Sequence, residues 1–192
     1  MDKEYRSIKS ELRSDEGRHI SGYAVRFNEQ SRYLGFYETI SRGAITQELI
    51  DESDVFALLD HDPSKVLARC KRGIGNLVLT VDDEGVKYDF DALENELGNT
   101  VLTYVRAGII DSSSFAFAVD EDGDIWERRA DGEVYRTITK IGGLYDVSPV
   151  FNPAYDTTSC SCRSYDEFKS KEEKNSALEK KYHQMIQEIE AL

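Results

Sequence analysis

Short runs of alternating polar and apolar residues, each cut off by a turn signal, constrain this chain more than any other feature. In His19-Ile-Ser-Gly-Tyr-Ala-Val-Arg-Phe27, Ile20, Gly22, Ala24 and Arg26 share one face, and Ser21, Tyr23, Val25 and Phe27 the other. That is the period of a strand. Tyr33 to Ile40 reads the same way, and Val55-Phe-Ala-Leu-Leu59 is a short apolar run stopped by Asp60-His-Asp-Pro63. Leu77 to Val81 and Val86 to Phe90 flank Asp82-Asp-Glu-Gly85, a hairpin signal. Ser114 to Val119, Ile125 to Arg129, Glu133 to Lys140 and Leu144 to Phe151 follow, separated by Asp120-Glu-Asp-Gly-Asp124, Ala130-Asp-Gly132 and Gly142-Gly143. Residues 1–13 read as a strand or arm in which Ile8 and Leu12 are weakly patterned.

Helical signals are fewer. Ala44 to Ile50 reads as a short helix. Residues 95–107 carry Leu97, Val101, Leu102 and Val105 at helical spacing and end at Gly108. Composition shifts near residue 164 to Glu, Lys and Gln, with no Gly or Pro. Leu178, Tyr182, Met185, Ile189 and Leu192 then step by alternating fours and threes, the spacing of a coiled-coil seam. The expected fold is α+β and β-rich: an antiparallel or mixed, barrel-like sheet, a few short surrounding helices and a C-terminal amphipathic helix. The expected division is a domain over 1–163 and a charged linker with a helix over 164–192. That helix either packs on its own domain or serves assembly, for instance as a homodimer contact.

The charge balance narrows the partners. The formal net charge is -13. An acidic chain gains nothing from counterion release, so direct nucleic-acid binding is disfavoured, and so is adhesion to an anionic membrane. No apolar run approaches the roughly 20 residues that span a bilayer, and the opening Met1-Asp-Lys-Glu-Tyr-Arg6 does not read as a secretory signal. Three cysteines, Cys70, Cys160 and Cys162, argue against a disulfide framework and point to a reducing, cytoplasmic setting. Cys160-Ser-Cys162 has the wrong spacing for a zinc site, and Asp120-Glu-Asp-Gly-Asp124 places its glycine one position early for an EF-hand. No metal or cofactor is expected.

Three histidines bound the acid–base chemistry. His183 lies in the polar tail and His19 at the start of a strand. His61 directly follows a short apolar strand, between Asp60 and Asp62, where a side chain is rigidly held yet reachable; a surface histidine is the plain alternative. In Ser112-Ser-Ser-Phe-Ala-Phe117, Phe115, Phe117 and Val119 share one strand face and Ser114, Ala116 and Ala118 the other. Ser113 would point with the phenylalanines and Ser112 is expected to precede the strand, so if one serine is a nucleophile, parity favours Ser114. A serine-rich turn bonding its own backbone is the alternative. In Leu144-Tyr-Asp-Val-Ser-Pro-Val-Phe151, Asp146 interrupts an apolar strand, so it is exposed or bonded to a partner. A histidine would be such a partner, giving the base, acid and serine of a triad.

Leu58-Leu-Asp-His-Asp-Pro63 with Val66-Leu-Ala-Arg69, Asp83-Glu-Gly-Val86 and Arg106-Ala-Gly-Ile-Ile-Asp-Ser-Ser-Ser-Phe-Ala-Phe117 together resemble the prohead maturation proteases of tailed phages, a family related to the herpesvirus capsid protease. Arg136-Thr-Ile-Thr139 and Leu144-Tyr-Asp-Val-Ser-Pro-Val-Phe-Asn-Pro-Ala-Tyr155 complete the match; the last is the most specific. The resemblance implies a serine endopeptidase inside the assembling procapsid, in the host cytoplasm. Its substrates would be the scaffold polypeptide, the N-terminal extension of the major capsid protein, and itself. By position Ser114 matches the nucleophile, His61 the catalytic histidine and Asp146 the acid. Arg69, with Phe115 and Ala116 beside the nucleophile, are candidates for oxyanion or substrate contacts; a surface ion pair is the other reading of Arg69. Ala116 and Ala68 stand where glycine is frequent, Ile45 for a usual phenylalanine and Arg42 for a usual proline. The substrate is expected to add as a strand beside the small-residue edge of the Ser114 strand. The rivals are a non-catalytic assembly or scaffold protein on the same fold, and a cysteine hydrolase using Cys70.

Overall fold

The computed structural model describes residues 3–9, 12–14, 17–151 and 159–190. In chain order they form β1 (Glu4–Lys9), β2 (Arg13–Ser14), β3 (His19–Arg26), β4 (Tyr37–Ile40), α1 (Gln47–Glu52), β5 (Asp54–Leu58), β6 (Val66–Lys71), β7 (Ile74–Gly75) and β8 (Leu77–Val81). These are followed by β9 (Gly85–Asp91), α2 (Glu96–Arg106), β10 (Ser112–Val119), β11 (Asp124–Arg128), β12 (Val134–Ile138), β13 (Ile141–Val150) and α3 (Ser159–Glu190). The chain divides into two units, Met1–Asp156 and Thr157–Leu192.

Local chemistry explains the ends of these elements. Asn95 caps α2 by accepting from the Gly98 amide at 2.7 Å, and Thr46 caps α1 by accepting from the Leu49 amide at 3.2 Å. In the β8–β9 hairpin the Asp82 carboxylate accepts from the amides of Glu84 (2.8 Å) and Gly85 (2.9 Å). Gly85 itself is required by close approach: a Cβ there would sit 1.9 Å from the Val25 carbonyl oxygen. The strand expected from Tyr33 starts only at Tyr37, because Gly35 at φ +90° turns the chain just before it.

The strands form three sheets, ordered β1-β10-β13-β5-β6-β7, β2-β3-β9-β8 and β11-β12-β4. Most pairs are antiparallel; β13–β5 and β12–β4 are parallel. The protein is therefore mixed α+β and β-rich, with three helices among the described residues. The expected barrel does not form. The six-stranded sheet ends on β1 and on the two-residue β7, and the four-stranded sheet on β2 and β8, so no ladder closes on itself. One buried cluster joins the two larger sheets and α2: Phe115, Phe117 and Val147 from the first, Ile20, Tyr88 and Phe90 from the second, and Val101 and Val105 from the helix.

The three-stranded sheet is tied to β1 by charge. Arg6 of β1 donates to both oxygens of Glu38 on β4 (2.6 and 2.9 Å). Arg136 of β12 donates to both oxygens of Glu4 on β1 (2.7 and 2.9 Å). Cross-links from Arg6 to Glu4 (2.8 Å) and from Arg136 to Glu38 (2.9 Å) complete the network, and Asp124 of β11 accepts from Arg136 Nε at 2.7 Å. Glu4, Arg6, Glu38 and Arg136 are all buried. Burial alone pushes the Glu38 carboxyl up; the Arg6 and Arg136 guanidiniums outweigh it and hold the group below its ordinary value.

The segment expected to hold a charged linker and a helix lies within α3. α3 runs unbroken for 32 residues through that segment, as Glu, Lys and Gln favour helix and allow charge pairs a turn apart. Leu178 on its seam is 67 % exposed, and Tyr182 and Met185 are exposed beside it. Leu192 and the Pro153-Ala-Tyr155 run lie outside the described residues.

Removing one member of a buried ion network strands the others. Arg136→Ala should destabilise the sheet unit by about 3–5 kcal/mol, read from the urea midpoint. Because the Glu38 value is lowered on folding, its contribution is whole above about pH 4.5, its ordinary value, and is lost as the pH falls through the folded value. Amide exchange in β1, measured against β9 as internal control, should therefore accelerate selectively in acid.

Candidate active site

β10 is buried along nearly its whole length, and β1 and β13 occupy its two edges. Its three serines meet three different partners. Ser112 Oγ donates to Asp111 Oδ1 at 2.8 Å. Ser113 Oγ lies 2.9 Å from the buried Tyr88 hydroxyl, on the core side. Ser114 Oγ lies 2.6 Å from His61 Nε2. Ser112, expected ahead of the strand, opens it and pairs with Val150. Strand parity therefore separates only Ser113 from its neighbours, and the tertiary structure separates Ser112 from Ser114.

His61 reaches Ser114 from the loop after β5. That loop is closed by the Leu59 amide donating to the Lys65 carbonyl (3.0 Å) and pinned to β13 by the Asp60 amide donating to the Pro149 carbonyl (3.0 Å). Asp60 and His61 both adopt φ 57°, the left-handed region, at a cost of about 1–2 kcal/mol per residue. Asp62 stiffens the turn by accepting from the Ser64 hydroxyl (2.6 Å) and amide (2.9 Å). Those bonds, with Lys65 nearby, pull its carboxyl down to about 2.

The third group comes from β13. Asp146 Oδ1 lies 2.6 Å from His61 Nδ1 and also accepts from the Ser148 hydroxyl at 2.7 Å. Its place follows from strand pairing: Asp146 stands opposite Ala116 of β10 on one side and Phe56 of β5 on the other. The mid-strand carboxylate is thus buried and bonded, as its apolar surroundings require. An imidazole with Nδ1–H directed at a carboxylate and Nε2 at a hydroxyl is set to accept that hydroxyl's proton.

Two neighbours had no sequence reading. The ring of Tyr5 meets His61 edge-on, with centroids 4.9 Å apart. The Arg6 carbonyl accepts from Ser114 Oγ at 2.9 Å. Ser114 has one hydroxyl proton and two acceptors in reach, so the Arg6 carbonyl competes with His61 for it. The available signal was the alternation of Glu4, Arg6 and Ile8, which puts opposite charges on one strand face; nothing in it says which strand they meet.

The other proposed contacts lie elsewhere. Arg69 of β6 forks onto Asp54 of β5 (2.7 and 2.6 Å), its guanidinium 4.6 Å above the Phe56 ring. It stands two strands from Asp146 in the same sheet row, roughly 10 Å away at ordinary strand spacing. Phe115 turns its ring into the core, 4.9 Å from Phe117, and Ala116 is buried, paired in register with Tyr5 on one side and Asp146 on the other. The expected free edge of β10 is absent, since β1 pairs along it from Glu4 to Lys9. His19 stands between Asp89 and Asp91, and Cys70 is buried in the core.

A serine, an imidazole and a carboxylate in hydrogen-bond sequence are the working parts of a hydrolase. The sequence profile of the family described as caudovirus prohead serine protease matches residues 4–171. The chain belongs to that family, and so to the serine proteases of phage capsid maturation. Among solved structures it is similar to the bacteriophage T4 capsid assembly protease gp21, with a TM-score of 0.47 and 14 % identity over 78 % of this chain and 99 % of that one. No curated protein matches it.

Ser112 and Ser113 should separate by stability. Ser113→Ala leaves the buried Tyr88 hydroxyl without its partner and should lower stability by about 1–3 kcal/mol in urea unfolding. Ser112→Ala gives up a bond to an exposed carboxylate and should change it by less than about 1 kcal/mol.

Proposed function

We propose that this protein is the serine endopeptidase that cleaves the scaffold polypeptide and the N-terminal extension of the major capsid protein inside the assembling procapsid, in the cytoplasm of the host, and that it also cleaves itself. The carrying observation is the chain of two 2.6 Å contacts from Asp146 through His61 to Ser114. His61 Nε2 takes the Ser114 proton as Oγ attacks a peptide carbonyl. Asp146 holds the imidazole in the Nδ1–H tautomer and stabilises the imidazolium, while backbone amides stabilise the oxyanion. The imidazolium gives its proton to the leaving amine, and water hydrolyses the acyl-enzyme.

Two further observations support the finer parts. β1 fills the edge of β10 where an extended substrate would pair, and lays its Arg6 carbonyl on the nucleophile. The substrate strand takes the place of β1, and β1 is itself a first substrate. In the second unit, the exposed Leu178, Tyr182 and Met185 at seam spacing supply a contact for self-association, which makes α3 an assembly tail to the protease unit. The non-catalytic scaffold reading needs no convergence of His61, Ser114 and Asp146, and the observed distances favour the enzyme.

Ser114→Ala should lower processing of co-expressed capsid and scaffold proteins by about four orders of magnitude or more, read by mass spectrometry of the products. His61→Ala should do nearly the same, and the double variant no worse than either, because the groups act as a unit. Wild-type processing by Ser114→Ala would leave the scaffold reading in place.

A further inference from the structure

We propose that Glu38 and Arg136 are two charge-reading subsites, and that the enzyme selects an extended peptide with arginine at the residue whose carbonyl is attacked and glutamate two residues before it. The proposal rests on the serine-protease reading above, with β1 as the template for a bound substrate strand.

The carbonyl that touches Ser114 Oγ is that of Arg6, at 2.9 Å. Taking Arg6 as the residue before the cut makes Glu4 the residue two places earlier, on the same strand face. Each of these side chains meets a fork of opposite charge contributed by another sheet. Glu38 of β4 takes the Arg6 guanidinium through two bonds (2.6 and 2.9 Å). Arg136 of β12 takes the Glu4 carboxylate through two bonds (2.7 and 2.9 Å). Asp124 of β11 fixes Arg136 from behind at 2.7 Å. Tyr5, between the two, turns instead to His61 and is partly exposed, so the intervening position is read by packing and not by charge.

The electrostatics turn this arrangement into selectivity. With β1 withdrawn, Glu38 keeps Arg136 but loses the Arg6 fork, and Arg136 loses the Glu4 fork. Groups so enclosed are poorly compensated until a strand with matching charges returns. A peptide neutral at either position leaves a fork unanswered, and rejection of a ligand that leaves buried polar groups unpaired is steep. Lysine supplies the charge at the first position but not the two parallel bonds, so it ranks below arginine.

The test uses the full-length protein and a synthetic peptide of residues 1–12 (Met1 to Leu12), with variants at two positions. Cleavage between Arg6 and Ser7 is expected, located by mass spectrometry. Peptides carrying Arg6→Ala or Glu4→Ala should show kcat/KM lower by about 100-fold, and Arg6→Lys lower by about tenfold. In the enzyme, Glu38→Gln should narrow the preference for the arginine over the alanine peptide, and Arg136→Lys should narrow the preference for glutamate at position 4. Because either variant disturbs a buried network, the peptide series on the wild-type protein decides by itself. Ser114-dependent cleavage of denatured protein or of these peptides that ignores both positions, or falls at other bonds, overturns the subsites and leaves the protease standing. Absence of any Ser114-dependent cleavage, including of the chain's own N-terminus, overturns both.

Discussion

The double pairing of β13 holds the site together. One strand runs antiparallel to β10 and parallel to β5. The first pairing sets Asp146 two residue pairs along from the Ser114–Ser148 pair, on the same face of the sheet. The second delivers the end of β5, and with it the His61 loop, to the same side. The loop is pinned once more when the Asp60 amide bonds the Pro149 carbonyl. Ser114, His61 and Asp146 therefore come from three segments distant in sequence but locked by one strand. Two consecutive left-handed residues at Asp60 and His61 persist because those pairings over-determine them.

A second constraint is electrostatic. β1 is fastened to the three-stranded sheet by buried ions, where apolar packing would have served. Such a network adds little net stability compared with hydrophobic residues of the same volume, but losing one partner leaves the other charge buried and unpaired. Here it fixes Glu4 and Arg6 against Arg136 and Glu38, and thereby sets which carbonyl of β1 lies on Ser114. A strand held by charge answers to acid and to competing charged strands in a way that a greasy one does not. That property suits a segment placed across Ser114.

Much of this was legible in the residues. The hairpin around Asp82-Asp-Glu-Gly85, the helix ending before Gly108, and the orientation of Phe115 and Phe117 into the core all follow from short-range periodicity and turn chemistry. Whether the sheets close, which strand flanks Ser114 and which ion pair holds Arg69 were not legible, for a common reason. Each depends on which strand lies next to which, and strands of similar propensity and length carry little information about their neighbours. Arg69 is held by Asp54 only because β5 and β6 pair in a register that sets Phe56 opposite Arg69, with Asp54 close by.

By itself, then, the sequence determined the strand-rich class, the capped helix α2, the split of Ser113 from its neighbours by parity, and the presence of one histidine, one serine and one mid-strand carboxylate suited to a triad. Those are properties of neighbours along the chain, set by dihedral preference and the two-residue and 3.6-residue periods. The tertiary structure decided that His61, Ser114 and Asp146 meet, that β1 and not an open edge flanks Ser114, and that Glu4 and Arg6 face Arg136 and Glu38. Those are long-range pairings, in which the gain of burying and satisfying polar groups together selects one arrangement that no local pattern encodes.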